Sequence, residues 1–129
     1  MTWTIEYQDN LQVVVLTYSG NISGAEIKAA ATARIAMGKE KGVSKFLVDT
    51  RNIETDESST FDIYDLPSKV YPEQKVEHSD HIAVVIPESH AARRMVQFYE
   101  DVSVNRGWRV KTFEDHDDAL EWLKQLPGM

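Results

Sequence analysis

Cysteine is absent from this chain of 129 residues, which removes disulfides, thiolate metal sites and cysteine nucleophiles at once. The absence also fits a reducing compartment, and a cytoplasmic protein is expected. Long apolar runs are missing too. The longest, residues 13–16 and 82–86, fall far short of the ~20 residues needed to cross a bilayer. No basic segment precedes an apolar stretch at the start, so no secretory leader is expected. Positive charge is in deficit: 14 basic residues against 21 acidic ones leave a net charge of −7. That balance speaks against non-specific binding to nucleic acid or anionic lipid. Repeats, low-complexity tracts and linkers are likewise missing. The length suits one domain over residues 1–129, because domains commonly run to about 100–150 residues. A chain of this size buries roughly two-thirds of its unfolded surface, so it needs no metal or disulfide to fold, and no cofactor is expected.

What is present is periodicity. Trp3, Ile5 and Tyr7 alternate with polar residues, Asp9 and Asn10 signal a turn, and residues 13–18 are β-branched and apolar. Together they predict a β-hairpin, closed by Gly20 and Asn21. Ser23 and Glu26 fit a capping box ahead of a helix with Ile27, Ala31 and Ile35 at spacing four. Gly38 and the alanines allow that helix to approach a sheet closely, and Gly42 is a stop signal. Phe46, Leu47 and Val48 predict a short buried strand ending near Asp49, then a polar loop over residues 50–59. A helix over 61–66 must end or kink at Pro67, with a second turn to Tyr71 and a loop over 72–80. Residues 81–86 predict a strand. Pro87, Glu88 and Ser89 open a helix with Ala91, Met95, Phe98 and Val102 on one stripe, closed by residues 105–107. A strand over 108–113 follows. Asp115 caps a last helix that buries Ala119, Leu120, Trp122, Leu123 and Leu126, and Pro127 and Gly128 end it. The order β-β-α-β-α-β-α-β-α implies an α/β fold with helices packed on a mostly parallel sheet, the first strand antiparallel to the second.

Several stretches carry a family likeness. They are Phe46-Leu47-Val48-Asp49-Thr50-Arg51, the strand from His81 to Val85, Asn105-Arg106-Gly107, and Phe113-Glu114-Asp115 followed by Ala119-Leu120-Glu121-Trp122-Leu123. Their order resembles the STAS fold of anti-sigma-factor antagonists. More closely, the chain resembles the SpoIIAA-like group of uncharacterised bacterial proteins, related in shape to STAS and CRAL-TRIO domains. The resemblance implies an open sheet wound as a β–α superhelix. STAS antagonists are switched by phosphorylation of a serine in an Asp-Ser-Ser-Gly-Leu-Gly motif at the start of the second helix. The matching stretch here is Glu57-Ser58-Ser59-Thr60-Phe61-Asp62. Both serines remain and both glycines are gone, which departs from the pattern a close-approaching kinase or partner would use. CRAL-TRIO relatives hold an apolar ligand in a cavity.

The residues themselves offer a few candidate sites, each with a plain structural alternative. Asp49, Thr50 and Arg51 lie where a strand ends, the edge at which open α/β sheets bind ligands. Alternatively, Asp49 caps a turn and Arg51 pairs with a carboxylate. Ser58, Ser59 and Thr60 precede a helix, where a phosphate would meet the helix dipole or a hydroxyl would simply cap. His90, Arg93 and Arg94 sit in the first turns of a helix and suit an anion or an acidic partner. His78 and His81 lack any specific zinc geometry, and the acids around His116 are explained by capping. No nucleophile elbow, Walker loop or dinucleotide fingerprint is present, so no enzyme class is assigned.

Two functions are expected. One is a non-enzymatic regulatory module that binds a protein partner through residues 50–60 and the second helix. The other is a carrier for a small apolar or lipid-like ligand beneath that helix, lined by Phe61, Ile63, Tyr64, Leu66, Val70 and Tyr71, which would need a pocket of about 300 Å³ or more. An unrecognised hydrolase is a third and weaker reading. A homodimer, through the edge of the first strand where Trp3, Ile5 and Tyr7 lie or through a helix face, is also open.

Overall fold

The computed structural model describes residues 2–126. Its elements are β1 (Trp3–Gln8), β2 (Val13–Ile22), α1 (Gly24–Lys41), β3 (Lys45–Asp56), α2 (Thr60–Asp65), a π-helical turn (Leu66–Val70), α3 (Tyr71–Glu73), β4 (His81–Val85), α4 (His90–Asn105), β5 (Arg109–Phe113) and α5 (His116–Lys124). The five strands lie in the order β1-β2-β3-β4-β5. β1 runs antiparallel to β2, and the other neighbours are parallel. The expected α/β order is therefore present, with the second helical region split into three segments.

Both faces of the central strands are covered, which is why they read as unbroken apolar runs rather than as alternation. Val14, Leu16, Phe46, Val48, Ile82 and Val84 face α1, the α2–α3 segment and α4. Val13, Val15, Leu47, Ala83 and Val85 face the opposite way, onto Ala119 and Leu123 of α5. On β1, Trp3, Ile5 and Tyr7 are partly buried and pack against the first of these clusters. β1 is nevertheless the terminal strand of the sheet, paired only with β2.

α1 begins on the reciprocal cap expected of it. The Glu26 amide donates to Ser23 Oγ at 3.3 Å, and the Ser23 amide donates to Glu26 Oε1 at 3.1 Å. It ends at Gly42, whose φ of 66° is left-handed, a conformation that favours glycine. Gly38 lies against the Phe46 ring so closely that an added Cβ would fall 2.5 Å from it.

Some sequence expectations need correction. The strand at Phe46 does not stop near Asp49 but continues to Asp56, and residues 50–56 are not a loop. β2 likewise passes Gly20 and Asn21, and its register with β3 shifts on both sides of Gly20. The two extensions support each other: Ser19 pairs with Asn52, Gly20 with Ile53 and Ile22 with Asp56. This ribbon is polar because much of it faces solvent. At Pro67 the regular α-helix gives way, as expected there: α2 stops at Asp65. The turn widens, so that the Tyr71 amide donates to the Leu66 carbonyl, and the chain continues into α3. The wider turn absorbs the missing proline N–H without a break. α4 opens at Ser89, the last residue of the expected opening, whose Oγ accepts from the Ala92 amide. Finally, Ala91 is exposed and Ala92 is buried, so the stripe lies one residue further on. The stop expected at Pro127 and Gly128 lies outside the described residues.

Filling the gap between α1 and β3 should be costly. Gly38→Val should lower the unfolding free energy by about 1–3 kcal/mol through overpacking against Phe46, read as a lower midpoint at unchanged slope in urea unfolding.

Candidate functional site

At the end of the shared ladder, Asp49 is already engaged. Arg51 donates through Nε to Oδ1 at 3.0 Å and through Nη2 to Oδ2 at 2.7 Å, and its amide donates to Oδ1 at 3.1 Å. Burial alone would raise the Asp49 carboxyl, but these Arg51 hydrogen bonds and the guanidinium charge hold it below the usual range. Thr50 Oγ1 donates to the Val85 carbonyl at 2.6 Å and ties β3 to β4. Asp49 and Arg51 thus form an internal pair, within β3 and not at a turn. Arg93 is also tied down, donating from Nε to the Pro87 carbonyl at 2.7 Å and lying 3.6 Å from Glu114.

The serines lie at the far end of β3. Asp56 lies seven positions beyond Asp49 on β3, roughly 20 Å along an extended strand, so these two candidate regions do not form one site. The Ser58 amide donates to Asp56 Oδ1 at 2.9 Å, and its hydroxyl reaches the same oxygen. Ser59 caps α2: the Asp62 amide donates to Ser59 Oγ at 3.2 Å, and the Ser59 amide donates to Asp62 Oδ2 at 2.9 Å. Thr60 is exposed at the first helical position. The residues put forward as a pocket divide. Phe61 and Tyr64 point outward, 76% and 40% exposed, which removes them from any pocket. Six-residue α2 packs against α1 and α4, and only Ile63 of its side chains is buried. Val70 is buried in the core, and Ile63, Leu66 and Tyr71 line a cavity. The Arg106 guanidinium lies 5.0 Å over the Tyr64 ring and donates to its hydroxyl.

That cavity lies between the sheet, α1, the α2–α3 segment and α4, and its volume is about 70 Å³. Its polar members are Arg34, Tyr18, Tyr71, Tyr99, Thr50 and Asp56. Arg34 is 2% exposed. Its Nη2 donates to the Tyr71 hydroxyl at 2.7 Å, and the Tyr71 and Tyr99 hydroxyls are 2.5 Å apart. Its Nη1 is buried with no hydrogen-bond partner among the described residues. Burial opposes the charge, yet the surrounding phenol oxygens and the Asp80 carboxylate keep Arg34 protonated. Burial pushes the Tyr18 and Tyr99 phenols upward, so both are neutral. The sequence reading missed Arg34. The available signal was its place on the buried stripe of α1, seven residues after Ile27 and four before Gly38.

The two histidines do not converge. His78 stacks on Trp108 at 3.8 Å, whereas His81 lies against Trp122 of α5. Among the described residues no helix is long and apolar enough to cross a membrane.

The sheet order, with one antiparallel edge strand and helices on both faces, defines a STAS-type α/β fold. The chain belongs to the SpoIIAA-like family, whose model matches residues 13–124. An anti-sigma factor antagonist from Mycobacterium paratuberculosis is similar in structure, with a TM-score of 0.65 and 19% identity over 96% of this chain and 94% of that one. The anti-sigma factor antagonist SpoIIAA in its unphosphorylated form aligns with a TM-score of 0.60 and 14% identity, over 97% and 98% of the two chains. An uncharacterised protein with a SpoIIAA-like fold from Shewanella loihica gives 0.55 and 17%, over 94% and 91%. Comparison with functionally curated proteins gives no match.

Two carboxylates should respond to pH with opposite sign. Asp49 is depressed in the fold, so its contribution is complete above the unfolded value of ~3.9 and is lost as pH falls through the folded value. Asp49→Asn should therefore be less stable than the parent at pH 7, with the difference shrinking below about pH 4. Asp80 is raised to about 6, chiefly by burial, with Arg34 and Lys39 pulling the other way and Glu77 adding to the rise. Its ionisation weakens the fold as pH climbs towards 6, so Asp80→Asn should gain stability above that pH and match the parent below about pH 4. Urea midpoints measured across this range check both.

Proposed function

We propose that this chain is a non-enzymatic regulatory module of the STAS type, one domain over residues 1–129, that docks a protein partner on the end of β3, residues 57–59 and α2. The observation that carries this is the exposure of Phe61 and Tyr64 together, at 76% and 40%. Three residues apart on a helix, they share a face. Aromatic side chains held on a rigid element are the usual anchors of protein interfaces. Glu57, Asp62 and Asp65 flank them in the sequence, so the complementary partner surface is an apolar pocket rimmed by basic residues. Family membership and the likeness to anti-sigma factor antagonists support the same reading. A carrier for a lipid-like ligand has less support, because the cavity of about 70 Å³ falls well short of such a ligand.

A photo-crosslinking residue at position 61, incorporated in the native cell, tests the surface. One protein adduct should form from position 61 and not from Glu121 on α5, across the sheet. The same adducts from both positions, or none from 61, would exclude this docking face. Phe61→Ser should meanwhile change stability by no more than about 0.5 kcal/mol, as expected of an exposed side chain.

A further inference from the structure

We propose that the cavity beneath the α2–α3 segment is a binding site for a small organic monocarboxylate, with Arg34 as its anchoring residue. This stands apart from the docking face, since it concerns the inner side of the same segment. Arg34 combines three properties: it is 2% exposed, it lines a cavity, and its Nη1 has no partner among the described residues. No carboxylate lies within ion-pairing distance of it among those residues. A buried guanidinium with no carboxylate in contact, Asp80 acting on it only from a distance, is costly, and a buried donor without an acceptor adds to the cost. A bound carboxylate removes both.

The surroundings fit such a ligand. The Arg34 guanidinium is held in place by the Tyr71 hydroxyl and by the faces of Phe46 and Tyr71, at 5.2 and 5.4 Å. The fork is therefore positioned before any ligand arrives. The Tyr99 hydroxyl, on the same polar chain, is a further donor or acceptor. Ile22, Ile27, Ile63 and Val96 supply apolar walls for the ligand body. Size and charge then narrow the class. A volume of about 70 Å³ is roughly half of what an engineered apolar cavity needs to hold benzene, so the body is limited to about two to four carbons. Asp56 lines the same cavity and disfavours a second negative charge, which selects a monocarboxylate over a dicarboxylate or a phosphate.

Amide-resolved NMR titration of the whole chain tests this with acetate, propionate and butyrate, each against its primary amide at matched ionic strength. The acids should give saturable shifts at Arg34, Tyr71 and Tyr99. The neutral amides should bind about tenfold more weakly, having lost the charge-assisted hydrogen bond. Arg34→Met, which keeps the apolar stem, should abolish the saturable response. Equal binding of acid and amide, acid shifts that never saturate, or parent-like binding by Arg34→Met would overturn the assignment. The acid–amide comparison uses the parent chain alone and decides the matter even if the variant does not fold.

Discussion

The parallel ladder between β2 and β3 runs past the body of the sheet, from Val14 opposite Phe46 to Ile22 opposite Asp56, and the rest of the molecule is arranged around it. β4 pairs only with Lys45 to Asp49. Beyond that point β3 is held by β2 alone, with Thr50 closing the shared ladder through the Val85 carbonyl. The projecting ribbon places Ile22 and Ile53 against the cavity. It also sets the start of α2, because the Glu57 amide donates back to the Ile22 carbonyl at 2.8 Å. A ribbon ending at Asp49 would leave neither a wall for the cavity nor a fixed origin for the exposed aromatic pair.

A polar chain ties the helices together above that ribbon. Arg34 of α1 donates to Tyr71 of α3, and Tyr71 meets Tyr99 of α4. Trp108, just before β5, packs edge-on against Tyr71 at 5.5 Å and donates its indole N–H to the Pro67 carbonyl at 2.9 Å. The π-helical turn is thus braced where its proline interrupts regular bonding. Because buried polar groups stabilise only when satisfied, this chain restricts the α2–α3 segment to one placement over the sheet. One face of the segment is anchored in this way, and the other carries Phe61 and Tyr64 to solvent.

Much of the fold could be read from the sequence, and the failures share a cause. Hydrophobic period marks elements that bury a face, so α1, the three central strands and α5 were recognisable from Ile27, Phe46, Ile82 and Leu123. Residues 50–56 escaped because an extended ribbon with few buried side chains has the composition of a loop. Within it only Thr50 and Ile53 are fully buried. Arg34 escaped for the opposite reason. A charged residue in an alanine-rich helix, here between Ala33 and Ile35, reads as solvent-facing, and only the phase of the α1 stripe places it inside. Phe61 and Tyr64 were misassigned because aromatic residues beside a cavity-lining isoleucine look like more of the lining. The helical angle separating Ile63 from Phe61 and Tyr64 sends them outward. Family resemblance pointed to the right segment but not to its polarity.

The same segment shows why the missing glycines matter. In the motif of the STAS antagonists, glycines follow the serines, whereas here Thr60, Phe61 and Asp62 do. Asp62 completes a reciprocal cap with Ser59 and leaves no room for a side chain at Gly24, where a Cβ would come 2.1 Å from its carboxylate. The starts of α1 and α2 are therefore packed through this acid. Asp56 occupies Ser58 in a similar way. A phosphate carries about two negative charges, and on either serine it would face a carboxylate already using the hydroxyl. On Ser59 it would have to expel Asp62 from the α2 cap and disturb its contact with Gly24. The helix dipole favours such a charge by at most about 2 kcal/mol, which must be set against the lost cap and the repulsion between the anions. What is a modifiable turn in the antagonists is, in this chain, a turn whose anionic positions are filled by its own side chains.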